Sequence, residues 1–289
     1  MVAAQSFESS GCRMHSQTDQ QAANEIYRHP LPVRLWHWLT AATVMGMLFT
    51  GICILNVHPR LYWGEVGNEA DPALIGLDAA GPAIAGQAAP ATLTVGSAKF
   101  DVTGIMGVPF DFGNDGTYFM IFNAPESWHF GGLRAWHFAL AWVLVIAAMA
   151  YAFYLLLSGR LRRVWWPGAA QLTPAAIRQD VADHLRLRRG ADAHSYNLLQ
   201  KLAYLGVFGV LLPLIVLTGL TMSNAVTMRF PGLFSLFGGR ESARTLHALG
   251  AMLMLLFVLV HVFQSFVAGI VNQLRGMLTG YQRISGESR

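Results

Sequence analysis

Charge is the first thing this chain is short of. Only 12% of its 289 residues are Asp, Glu, Lys or Arg, against 54% that are hydrophobic. That balance is too apolar for an ordinary water-soluble domain and places the chain among membrane proteins. Cysteine is nearly absent. Cys12 and Cys53, far apart and in unlike settings, argue against a structural disulfide or an iron–sulfur cluster. A C-x-x-C-H motif is missing, which excludes a covalently attached c-type haem. The first 28 residues have no apolar run before a cleavage site, so they predict a flexible cytoplasmic leader rather than a signal peptide, with Met14 as a second candidate start. There is no dinucleotide fingerprint, no molybdopterin-scale domain and no hydrolytic constellation. Substrate chemistry therefore belongs to another polypeptide, and no residue here is assigned a catalytic role. The net charge is only +4, and nucleic acid is not an expected partner.

Long apolar runs are abundant. A bilayer's hydrocarbon core takes about 20 residues of helix to cross. Four stretches meet that length, near 34–55, 134–158, 199–223 and 245–270. They are apolar on every side, unlike the stripes of a soluble bundle. The expected fold is an all-α, four-transmembrane-helix bundle over 34–271, with a leader at 1–33 and a tail at 272–289. An even number of spans puts both termini on one side. That side would hold Arg13, Arg28, Arg34, Arg160, Arg162, Arg163, Arg178, Arg186, Arg188, Arg189, Lys201, Arg275, Arg283 and Arg289. The other would hold only Arg60, Lys99, Arg134, Arg229, Arg240 and Arg244. The positive-inside rule makes the first side cytoplasmic and the chain a multi-pass inner-membrane protein.

The two long loops carry structure of their own. ATLTVGSAKFDVT, in the 56–133 loop, alternates apolar and polar residues around a turn and predicts a β-hairpin. In the 159–198 loop, Thr173 followed by Pro174 predicts a helix start. Its basic end, Arg186 to Arg189, suits either anionic inner-membrane lipid or plain solvation.

Four of the ten histidines fall within the spans: His37 in the first, His137 in the second, His247 and His261 in the fourth. An ionisable ring in hydrocarbon is costly and normally faces a partner or a cavity. By depth they sort into His37 with His261 and His137 with His247, whichever way the chain is inserted. His247 and His261 are fourteen residues apart, about 21 Å of helix, and return to within roughly 40° of one direction. Two such levels suit two stacked haems, each gripped from both sides. Zinc wants three or four ligands at one point, which two levels of two do not supply. Gly46, Gly51 and Gly250 allow a flat ring to approach the backbone, or serve helix contacts instead. Arg34, Arg134 and Arg244, just outside the histidines, are candidate propionate partners or interfacial anchors.

Y-R-H-P-L-P-V-R-L-W-H-W opens the first span and R-A-W-H-F the second; R-T-L-H is followed fourteen residues later by V-H-V-F. Together these resemble the prokaryotic cytochrome b561 family. It includes the b-type subunits of nickel–iron hydrogenases, the formate dehydrogenase gamma subunit and a subunit attributed to thiosulfate reductase. The resemblance implies two haem b groups (iron), with His37 and His261 as metal ligands on the cytoplasmic side and His137 and His247 on the periplasmic side. It implies quinone as a mobile substrate and a periplasmic or membrane-attached partner oxidoreductase, a molybdoenzyme or hydrogenase. The stretch from Ser195 to Lys201 resembles the family's Y-N-x-x-Q-K, making Asn197, and more weakly Gln200, quinone-site candidates. A helix cap is the other reading of Asn197. H-P-R-L-Y-W-G-E at 58–65 resembles the hydrogenase and thiosulfate-reductase branch, while His58 and His129 are expected not to ligate. The 66–128 insertion departs from the compact members and leaves the partner open. The function implied is electron transfer between the quinone pool and a partner oxidoreductase. A stand-alone quinone reductase taking electrons from a donor such as superoxide is the alternative, and a haem-free scaffold or transporter the third.

Overall fold

The computed structural model describes residues 25–68, 71–79, 90–103, 105, 130–185 and 197–283. The leader before residue 25, His129 and the basic run 186–189 lie outside the described residues.

The helices, in order, are α1 (Leu31–Val57), α2 (Phe130–Leu157), α3 (Pro174–Leu185), α4 (Leu198–Thr221), α5 (Asn224–Arg229), α6 (Pro231–Leu236), α7 (Arg240–Val267) and α8 (Ile270–Thr279). Among the described residues α1, α2, α4 and α7 are long and apolar enough to cross a membrane. The protein is an all-α membrane protein with four spans. Each begins before its expected start; α7 does so by five residues because its first turn, Arg240-Glu241-Ser242, is polar and lies outside the apolar run. Along α2, Leu144, Ala147, Tyr151 and Leu155 are buried, at i, i+3, i+7 and i+11. Trp142, Ile146, Met149 and Phe153 line an opposite, exposed stripe at i, i+4, i+7 and i+11. Such an apolar stripe needs lipid rather than water against it. Within α4 the turn Val207–Leu211 is a π-helix, placed ahead of Pro213, which has no amide hydrogen to give.

Contacts divide the chain into two compact units: residues 1–39, 155–202 and 259–289, and residues 40–154 and 203–258. In the first unit β1 (Glu25–Tyr27) pairs antiparallel with the last strand, Tyr281–Arg283, in the register Ile26 to Gln282. Arg275 bonds Glu25 at 2.5 Å and Arg28 bonds Gln282 at 3.0 Å, completing a clasp between the two ends of the described chain. Gly280, at φ 91°, lets that clasp close: a Cβ there would meet the Tyr27 ring at 2.8 Å. His29 is buried beside it. Burial first, then the charges of Arg28, His37, Arg160 and Arg34, lowers its pKa from 6.5 to about 4. Thr173 caps α3 as expected, its hydroxyl accepting from Ala176 N at 3.3 Å.

In the second unit lies a four-stranded antiparallel sheet, β2 (Arg60–Leu61), β3 (Ile75–Ala79), β4 (Ala91–Val95) and β5 (Ala98–Asp101), in that order. The expected hairpin is β4–β5, turning at Gly96 with φ 58° and pairing Leu93 with Phe100. It is part of a larger sheet than the alternation alone predicted. The final strand, Tyr281–Arg283, becomes β6.

Candidate functional site

The rings of His37 and His261 have centres 6.2 Å apart, and those of His137 and His247, 6.1 Å apart. These are the couples that depth along the helices had matched. Two metal–imidazole bonds of about 2 Å, plus about 1 Å from each nitrogen to its ring centre, separate the centres by about 6 Å. Each couple therefore stands at the spacing of two imidazoles sharing one ion. Among the described residues no group of three His, Cys, Asp or Glu converges, so each centre offers two protein donors. That donor set fits a macrocyclic metal, whose remaining ligands come from the ring itself.

The second couple also has its ring nitrogens sorted. The Thr50 hydroxyl reaches Gly46 O at 2.9 Å and Met47 O at 3.2 Å on its own helix. When it donates there, its oxygen accepts from His137 Nδ1, 2.9 Å away. His247 Nδ1 lies 2.9 Å from the Ile215 carbonyl, which can only accept, and 3.3 Å from Thr218 Oγ1. His247 Nδ1 must therefore carry the proton, and its Nε2 then holds a free lone pair, the state a metal requires; His137 has the same arrangement when Thr50 donates to its own helix.

The next residue makes room for each ring. A Cβ on Gly51 would sit 3.5 Å from His137 Cε1, and one on Gly219 would sit 3.2 Å from His247 Cε1. The same two-residue device, Thr50-Gly51 on α1 and Thr218-Gly219 on α4, thus backs each histidine. Thr218 repeats the back-bond, donating to Leu214 O at 2.7 Å. Of the glycines singled out in the sequence, Gly51 faces a ring. Gly46 and Gly250 serve helix contacts instead: a Cβ on them would lie 2.9 Å from Leu140 and 2.8 Å from Ile215.

In the first couple, His37 packs edge-on against Trp38, ring centres 5.2 Å apart, and the His261 carbonyl accepts from Ser265 Oγ at 2.8 Å. Arg34 Nη1 donates to the Leu278 carbonyl, tying α1 to α8. Arg134 is exposed, 5.6 Å from the Phe130 ring centre and 5.8 Å from that of Phe138. Arg244 donates to the His58 carbonyl at 2.6 Å and pairs with Glu241 at 3.4 Å. The Gln200 side chain accepts from Asn197 N at 3.3 Å, the reciprocal half of a capping box at the start of α4. The His58 ring stacks on Tyr62 at 6.0 Å.

Sequence reasoning missed the threonines and Gly219. The signal was present: L-F-T-G-I and V-L-T-G-L place the same dipeptide in two different spans.

Four spans and imidazoles brought together in couples define a membrane cytochrome of the b type. The family model for prokaryotic cytochrome b561 matches residues 28–280. The chain belongs to that family of haem-binding membrane electron-transfer proteins. It is 38% identical over 152 residues to the putative protein-methionine-sulfoxide reductase subunit YedZ1 of Azospira oryzae, a match covering 52% of this chain and 72% of the relative. No solved structure matches the chain significantly.

Proposed function

We propose that this chain is a di-haem cytochrome b subunit that carries electrons across the bacterial inner membrane, between the quinone pool and a partner oxidoreductase, with both termini cytoplasmic. The observation behind it is the pair of imidazole couples, each at a one-ion spacing within its own unit. His37 with His261, and His137 with His247, would each hold one haem. Bound there, haem would supply one-electron chemistry. The chain's own work is positional. Thr50 and the Ile215 carbonyl hold the His137 and His247 rings in the ligating tautomer, and the apolar spans keep water away. Quinone would be met on the cytoplasmic side near the start of α4. Asn197 is the contact to test there, since the Gln200 side chain is occupied in the helix cap. The relative's name favours a protein-methionine-sulfoxide reductase over a hydrogenase as the partner class.

Reduced-minus-oxidised spectra of purified chain, with haem extracted and counted per polypeptide, test the core of this. A b-type α-band and two haems per chain are expected. A colourless protein, or a single haem, would overturn it. A soluble partner is expected to co-purify from the native membrane, while a chain that reduces quinone alone would favour the stand-alone reductase.

A further inference from the structure

Helix α8 is amphipathic the wrong way round for water. Val271, Leu274 and Leu278, at i, i+3 and i+7, are 79%, 41% and 64% exposed. Its polar residues are turned instead onto the clasp of terminal strands. Asn272 accepts from Arg283 N at 2.8 Å and donates to Arg283 O at 2.9 Å, and Gln273 accepts from Gln282 Nε2 at 3.0 Å. Gly276 packs there too, since a Cβ on it would lie 2.6 Å from the Gln282 side chain. At about 100° per residue, Asn272, Gln273 and Gly276 fall opposite the apolar stripe. A helix surrounded by water would show the reverse. The chain leading into α8 says what lies against the stripe. α7 is a membrane span, and its last turns leave Phe263 and Phe266 exposed. Gly269, at φ 94°, turns the chain two residues after α7 ends, so α8 begins where the span leaves the bilayer.

We propose that α8 is an interfacial helix whose Val271, Leu274 and Leu278 sit in the headgroup–acyl boundary of the lipid bilayer, and that this seat steadies the His37 ring. The terminal clasp then lies on the water side of the helix, where its polar bonds belong. Three residues are too few for a stable protein interface, which takes about 20–30 on a side, whereas lipid requires no matching shape. The seat itself needs no haem; its link to His37 rests on the haem reading above. That link runs through the last carbonyls of α8. Trp38 Nε1 donates to Met277 O at 3.1 Å and Arg34 to Leu278 O, and the Trp38 ring stands edge-on to His37. The short helices α5 and α6 also expose apolar residues, Met228 and Leu236. α8 differs in that its polar side is bonded to protein and its carbonyls hold the start of α1.

Spin-label depth tests the seat. In a full chain with Cys12 and Cys53 replaced by alanine, a nitroxide is attached at Val271→Cys, Leu274→Cys or Leu278→Cys. The control label is at Arg283→Cys, exposed on β6. Each chain is reconstituted in vesicles of phosphatidylethanolamine and phosphatidylglycerol. The stripe labels are expected to collide with oxygen more than with a water-soluble nickel chelate, and the control label to do the reverse. Stripe labels open to the chelate, or shielded from both reagents as under a second copy or another protein, would overturn the seat. The low-temperature spectrum of haem at His37/His261 tests the link. Leu274→Glu with Leu278→Glu should shift that band and leave the His137/His247 band unmoved, while Leu274→Met should be silent. Trp38→Phe, which keeps a ring and removes the donor, should shift the same band. An unmoved band in the double variant or in Trp38→Phe would overturn the link. An unsubstituted chain with no b-type band would instead sink the haem reading and leave the depth result standing.

Discussion

The two imidazole couples are nearly equal in spacing, 6.2 and 6.1 Å, but differ in how their rings are held. His137 and His247 are each backed by a threonine-glycine step on a neighbouring span, with Nδ1 bonded to a hydroxyl or a carbonyl. His37 is steadied by the edge of Trp38, in a unit closed by the clasp of the first and last strands. Ring spacing and ring orientation are thus separate properties of such a couple. In the His137/His247 couple, the Ile215 carbonyl fixes the His247 tautomer, so a metal held there would be tuned by groups that do not touch it.

The largest effects should come from removing a ligand. His261→Ala should abolish its own centre and leave the His137/His247 spectrum intact; loss of neither haem, or loss caused by His58→Ala, would refute the assignment. Crowding should separate the two glycines next. Gly219→Leu should expel the haem at His247, and Gly219→Ala should perturb its low-temperature spectrum, because 3.2 Å forces the ring to yield. Gly51→Ala, at an ordinary 3.5 Å, should be silent, and equal disturbance by both alanines would contradict the room-making role.

Removing an orienting acceptor should cost less. Thr50→Val should weaken haem retention at His137 by about 10–100-fold, as losses around metal-ligating histidines usually do. Thr50→Ser should retain it, and haem titration of the two variants compares them directly. The smallest effect concerns the clasp. An opened chain takes up a proton at His29 near pH 6.5, the closed one not until about pH 4, so stability of the clasp is lost as pH falls through that window. Limited proteolysis of the terminal strands should rise between pH 7 and 4.5, and His29→Gln should flatten the rise. An unchanged slope in that variant would show that another group governs it.

Much of this was legible because membranes impose simple rules. Apolar length marked α1, α2, α4 and α7, and alternation marked β4 and β5. The strand Ile75–Ala79 was not legible, since IGLDA is short and glycine and aspartate are poor strand formers. Nor was the pairing of β1 with β6, whose partners lie more than 250 residues apart in the chain and carry no local signal. Arg244 shows the same limit in the candidate site. Its position near a ligand was readable, but not that the His58 carbonyl would hold its guanidinium.

From composition and spacing alone follow the membrane, the four crossings and the heights of four histidines, since burial of backbone in lipid and the helical rise depend on nothing beyond local chain chemistry. Which nitrogen of His137 or His247 carries its proton, and which glycine meets a ring, depended on threonines, a carbonyl and glycines delivered by other helices. Those contacts exist only once separate segments pack, because a hydrogen bond's direction is decided by the atom that arrives opposite it.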